Sequence, residues 1–174
     1  MATPVRASSL PPGALLAAYH SAGHYTDCYQ TRIDARPSQA AYVEAFYTSW
    51  LFKLERRILA LASMPSTDVE AAELAAGTRE HFAAWRVEAR TPEQLLLCDV
   101  QGRTRSWLMR ADAAPGTGRT LYFGSAIVPA PDARPGAAAL DFPYGALLGF
   151  HRLYSRLLLA AAAARLERGA SRLQ

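Results

Sequence analysis

Residues 142–169 read FPYGALLGFHRLYSRLLLAAAAARLERG, and the rest of the chain is ordered around them. Pro143 suits a first helical turn, where its fixed φ fits and its missing N–H would be unpaired in any case. Gly169 suits the position just past a helix end, which a left-handed residue closes. Between them Leu147, His151, Tyr154, Leu158 and Ala161 recur at helical spacing, and Phe150, Leu153, Leu157 and Ala164 form an adjoining stripe. So broad an apolar arc predicts a long C-terminal helix laid across a large apolar surface. Arg152, Arg156 and Arg165 leave a narrower polar side, and Arg165 and Arg168 complement the negative helix end.

What that helix covers is written upstream. Residues 81–90, 94–100, 104–111 and 119–128 each read as a strand, with turn signals at Thr91-Pro92, Gln101-Gly102 and Ala114-Pro115-Gly116. A two-residue turn at Gln101-Gly102 sets Cys98 against Arg105 and Leu96 against Trp107. Carrying that register outward predicts one apolar face holding Trp85, Val87, Leu96, Cys98, Trp107, Met109, Leu121, Phe123 and Ile127. The opposite face then carries charge, diluted by Leu95, Leu97, Leu108 and Tyr122. Residues 129–141 read as a loop into the last helix.

Before the meander lie a strand and helices. Tyr25, Asp27, Tyr29, Thr31 and Ile33 alternate on one face of a strand over 24–33. Ser38 is a candidate N-cap for a helical pattern running to about Ser63, as one helix or two joined near Ser49. Met64-Pro65-Ser66 ends it, and Thr67 or Asp68 caps a shorter helix up to Gly77. Residues 13–21 read as a short helix, and residues 1–12 as a flexible N-terminal arm. The expectation is one α+β domain over 13–174, an antiparallel sheet of about five strands with the last helix as its cover.

Composition narrows the class. A chain of 174 residues, half hydrophobic and one-fifth charged, is ordinary for one globular domain. The formal charge of +4 comes almost wholly from arginine, Lys53 being the sole lysine, and the basic residues are scattered among carboxylates. That pattern matches GC-rich bacterial coding better than a nucleic-acid stripe, so no nucleic-acid partner is expected. The longest apolar run, residues 157–164, is too short to span a bilayer, and the N-terminus makes a poor signal peptide. A cytoplasmic protein is the expectation. Cys28 and Cys98 lack CxxC spacing, and no HExxH or i, i+4 histidine pair occurs, so no metal or cofactor is expected.

Several local phrases then resemble a known group. Tyr25-Thr26-Asp27-Cys28-Tyr29, Leu95-Leu96-Leu97-Cys98-Asp99 with Ser106-Trp107-Leu108, Leu121-Tyr122-Phe123-Gly124-Ser125 and Gly149-Phe150-His151-Arg152 carry the resemblance. Together with the element order they resemble the START and birch-pollen-allergen-like helix-grip superfamily, and within it a bacterial domain family without an assigned function. The resemblance implies a curved sheet gripping a long helix with a hydrophobic cavity between them. It also implies binding of lipids, hormones or pigments, or cyclisation and dehydration of polyketides.

The candidate ligand-binding residues are Trp85, Leu96, Arg105, Trp107, Met109, Phe123, His151 and Tyr154, the chemistry of an aromatic-walled pocket. Arg105, on the apolar face of the expected register, needs a partner for its charge. That partner is a ligand carboxylate or a protein group such as Asp99, Asp27 or Glu44. His151 is either a core histidine or a general acid/base, and no catalytic residue is assigned. The leading reading is a domain holding a hydrophobic or aromatic small molecule between sheet and C-terminal helix. The alternatives are a cyclase or dehydratase built on His151 and Arg105, and an interaction module, a homodimer included, acting through Leu95, Leu97, Leu108 and Tyr122.

Overall fold

The computed structural model describes residues 2–61, 65–113, 118–129 and 144–172, with the side chains of residue 55 and of residues 58–61 and 144–148 outside the description. The expected roles of Pro143 and Leu147, the turn at residues 114–116 and most of the 129–141 loop therefore lie outside the described residues.

The described elements run β1 (Arg6–Ala7), α1 (Ala17–Ser21), β2 (Tyr25–Ile33), α2 (Gln39–Tyr47), α3 (Trp50–Leu61), α4 (Asp68–Ala76), β3 (His81–Phe82), β4 (Trp85–Thr91), β5 (Gln94–Asp99), β6 (Thr104–Asp112), β7 (Arg119–Ile127) and α5 (Tyr144–Ser171). One curved sheet takes the order β1-β2-β7-β6-β5-β4-β3, antiparallel throughout. The chain is thus α+β with a long C-terminal helix, but the strands among the described residues number seven rather than about five. The extra two are two-residue edges. Arg6–Ala7 pairs with β2, and the strand expected over 81–90 breaks at Ala83, whose φ of 50° turns the chain into a hairpin.

Local signals decide the helix ends. Ser38 caps α2 by accepting from the Ala41 N–H, and the helix stops at Thr48-Ser49 before α3 begins. Thr67 and Glu70 form a reciprocal capping box on α4, and Gly77 closes it in the left-handed conformation at φ 81°. Gly169 does not close α5; it lies inside the last turn, and the helix continues to Ser171.

Helices α2, α3 and α5 pack on one side of the sheet, α5 crossing β2 and β7. The inner pairing Leu96↔Trp107 and Cys98↔Arg105 is as expected. The outer strands present the other face from that expected: Val87 pairs with Leu97 ahead of a β-bulge, and Phe123 pairs with Leu108, so neither shares the face of Leu96 and Trp107. Trp85, Val87 and Phe123 consequently share the helix side with Leu95, Leu97 and Leu108, the last three at most 1% exposed. Leu96, Cys98, Trp107 and Met109 turn the other way. That face is also covered: Leu10, Ala14, Leu15, Leu16 and Tyr19 lie over Leu96, Trp107, Met109 and Tyr122. Polar alternation cannot orient a strand buried on both faces, so weighting by aromatics chose the wrong side for β5 and β6.

Candidate functional site

A cleft of about 270 Å³ lies between the sheet and the helices. Its apolar wall is Phe46 and Phe52 from α2 and α3, Trp85, Phe123, and Tyr154 and Leu158 from α5. Ser106, Ser125, His151 and Ser155 add polar groups. Local geometry puts them there. Phe123 and Ser125 are alternate residues of β7 and so share a face. His151, Ser155 and Leu158 follow each other at i, i+4 and i+7 along α5.

The polar end is built from three elements. Asp27 on β2 and Ser125 on β7 are directly paired, and Ser125 donates both its hydroxyl and its backbone N–H to Asp27 Oδ1, at 2.6 and 3.0 Å. His151 Nε2 lies 2.8 Å from the same hydroxyl and 3.5 Å from Asp27 Oδ2. A serine has one proton, and the carboxylate takes it. At the Ser125–His151 contact the serine therefore accepts, and His151 Nε2 is the N–H donor. In the neutral ring this leaves Nδ1 as the acceptor. Burial by itself would raise the Asp27 carboxyl, but hydrogen bonds from His151 and Ser125 outweigh it and hold the group below its ordinary value. Serine, histidine and aspartate are all present, yet the wiring is not that of a hydrolytic triad. There the carboxylate orients the second ring nitrogen and frees the serine proton for the base. Here the carboxylate holds that proton.

Two further groups on the cleft wall lack partners among the described residues. Ser155 is fully buried and its Oγ makes no hydrogen bond; the indole Nε1 of Trp85 is buried and unpaired as well. Leaving a buried donor unpaired costs on the order of 1–3 kcal/mol.

The candidate residues divide. Trp85, Phe123, His151 and Tyr154 meet in the cleft. Arg105 borders it, but its guanidinium turns to the outer face, where Nε bonds the Tyr19 hydroxyl and Glu88 Oε2, each at 2.8 Å, and the charge stacks over the Tyr19 ring. Its partners are thus Glu88 and Tyr19 rather than Asp99, Asp27 or Glu44. Leu96, Trp107 and Met109 lie across the sheet, and the Trp107 indole donates to Gln94 Oε1 at 2.9 Å. Ser125 and Ser155 carry no mark of a site of their own in the sequence, and Asp27 stands there only as a candidate partner for Arg105. Ser155 was readable as His151 plus one turn; the Asp27–Ser125 pair needed the β2–β7 register, which joins residues 98 apart in sequence.

Burial pushes the Cys28 thiol up to about 12 and raises Cys98 too, so neither is a ready thiolate nucleophile at neutral pH. Among the described residues no cluster of three His, Cys, Asp or Glu side chains could hold a metal, and no helix is long and apolar enough to cross a membrane. The sequence matches no protein-family model and no curated protein.

Proposed function

We propose that this cleft binds a compact apolar or aromatic molecule carrying a hydrogen-bond acceptor. The observation that carries the reading is the pair of unpaired buried donors, Ser155 Oγ and Trp85 Nε1, on a wall whose other polar groups, Ser125 and His151 among them, already have partners. A carbonyl or ether oxygen on the ligand would remove their desolvation cost, while its ring would stack among Phe46, Phe52 and Phe123. A volume of about 270 Å³ lies just below the roughly 300–1,000 Å³ of ordinary ligand pockets, which suits one or two rings rather than a long lipid. The helix-grip resemblance supports the same reading. The first long strand pairs with the last, three helices intervene, and the final helix packs across that seam.

The test has two arms. Mass spectrometry of the protein under native and denaturing conditions looks for a carried small molecule, and thermal shift with a panel of bicyclic ketones and phenols looks for binding. Binding that raises Tm, and that weakens about tenfold in Ser155→Ala, supports the reading. No carried molecule and no shift from any compound sinks it.

A second reading, an enzyme of the cyclase or dehydratase kind, has one observation in its favour. The Asp27–Ser125–His151 chain fixes His151 through Nε2 and leaves a basic nitrogen on a cleft residue. Arg105 takes no part in this version, because its charge is spent on Glu88 and Tyr19. If a bound compound is slowly transformed, His151→Gln should abolish turnover while leaving binding intact.

A further inference from the structure

Helix α5 is apolar on two opposite sides, and the sheet covers only one. Ser155, Leu158, Leu159, Ala162 and Ala163 face inward at 0–3% exposure. Phe150, Leu153 and Leu157 face outward at 66%, 56% and 49%, with Ala160 exposed and Ala164 half-buried beyond them. The outward positions 150, 153, 157, 160 and 164 step by three and four, the spacing of a helix-pairing seam.

No charged residue lies on this line between Phe150 and Ala164, Arg168 following one turn later, and the flanking arginines reach toward their own domain. Arg152 Nε lies 3.4 Å from the Tyr25 hydroxyl, and the Arg156 guanidinium lies 5.9 Å from the Tyr29 ring centroid. Arg165 donates to the Thr48 carbonyl at 2.9 Å. A stretch from Phe150 to Ala164 with no charge on it suits a dry protein partner better than an anionic headgroup layer.

The order of side-chain sizes names the partner. Bulk lies in the N-terminal half (Phe150, Leu153) and alanine in the C-terminal half (Ala160, Ala161, Ala164). If a second copy of α5 lies antiparallel with the two-fold axis at Leu157, Phe150 meets Ala164, Leu153 meets Ala161, and Leu157 meets itself. Phe150 and Leu153 then each fall opposite an alanine, and the two Leu157 side chains meet on the axis, an arrangement that lets the helices approach closely on either side of the centre. A parallel pair would set Phe150 on Phe150, leave a gap between facing alanines, and stack Arg168, which shares the Phe150 line, on its own copy.

We propose that the chain forms a two-fold homodimer through the outer faces of two antiparallel α5 helices, centred on Leu157. The seam offers roughly 400 Å² per protomer, about 800 Å² in all and below the range of stable interfaces, so the dimer is weak, transient and dependent on concentration.

Cysteine crosslinking of the full chain tests both the contact and its direction, since the native Cys28 and Cys98 are buried at 5% and 0% exposure and do not compete. Leu157→Cys should crosslink to itself on mild oxidation. Phe150→Cys should crosslink with Ala164→Cys in a mixture but not with itself. Sedimentation velocity over a concentration series should show a monomer–dimer equilibrium whose dissociation constant rises at least about tenfold in Leu157→Arg. Leu157→Gln gives the same comparison with no charge added. Position 157 is half exposed, so both variants should keep the wild-type Tm at low concentration. A monomer at every concentration overturns the proposal, as does a Phe150→Cys homodimer, the mark of a parallel pair. Co-sedimentation of the wild type with phosphatidylglycerol vesicles, lost in Leu157→Arg and without self-association, also overturns it and assigns the face to a lipid surface.

Discussion

Asp27 shows how one residue's protonation can tie three elements together. Its carboxylate takes two hydrogen bonds from Ser125 and a further contact from His151, and its side chain is 9% exposed. The folded-state pKa is depressed below the ordinary 3.8, so the stabilisation it gives is fully present above about pH 4. It is lost as pH falls through the lower folded value, because the unfolded chain then takes up the proton first. Asp27→Asn should cost about 1–3 kcal/mol at neutral pH. Urea midpoints measured against pH should show the gap between wild type and variant constant above pH 4 and closing below it. A gap that stays open into strong acid would mean that the carboxylate charge is not what Ser125 and His151 hold. The sequence exposed Asp27 as an inward strand residue, but not its partners, since alternation gives a face and not a neighbour.

At the scale of the element, adjacent leucines of α5 make opposite predictions. Leu158 is 3% exposed and packs in the core, whereas Leu157 is 49% exposed on the outer seam. Leu158→Ala should cost about 2–4 kcal/mol in chemical denaturation, and Leu157→Ala less than about 0.5 kcal/mol at concentrations where the chain is monomeric. Equal costs would mean that α5 is rotated from the described orientation. Helix ends were more legible than helix faces. The Thr67–Glu70 capping box and the Gly77 closure of α4 are local chemistry and follow from a few consecutive residues. The orientation of α5 does not, because its apolar residues surround most of its circumference and the pattern alone has no inside.

In the whole molecule the sheet is the middle of three layers. The segment before β2 lies on its outer face, held by Gln94, whose Oε1 accepts from the Trp107 indole and the Leu15 N–H while its Nε2 donates to the Gly13 carbonyl. The outer layer comes close at Gly124, where a Cβ would lie 2.9 Å from Leu16. Gln94→Ala leaves the fully buried Trp107 N–H without an acceptor and should cost about 3 kcal/mol. Limited proteolysis should then cut within residues 10–21 well before the sheet; an uncut variant of unchanged stability would show that Gln94 does not hold this layer. By itself the sequence determined the α+β class, the long C-terminal helix, the α4 caps and the β5–β6 register, because each is written in neighbouring residues or one tight turn. Only the tertiary structure decided which face of β5 and β6 meets the helices, where the Arg105 charge goes, and that Asp27, Ser125, His151 and Ser155 share one end of a cleft. The physical reason is that strands covered on both faces and a helix apolar on both sides carry no local mark of inside and outside, so long-range packing chooses.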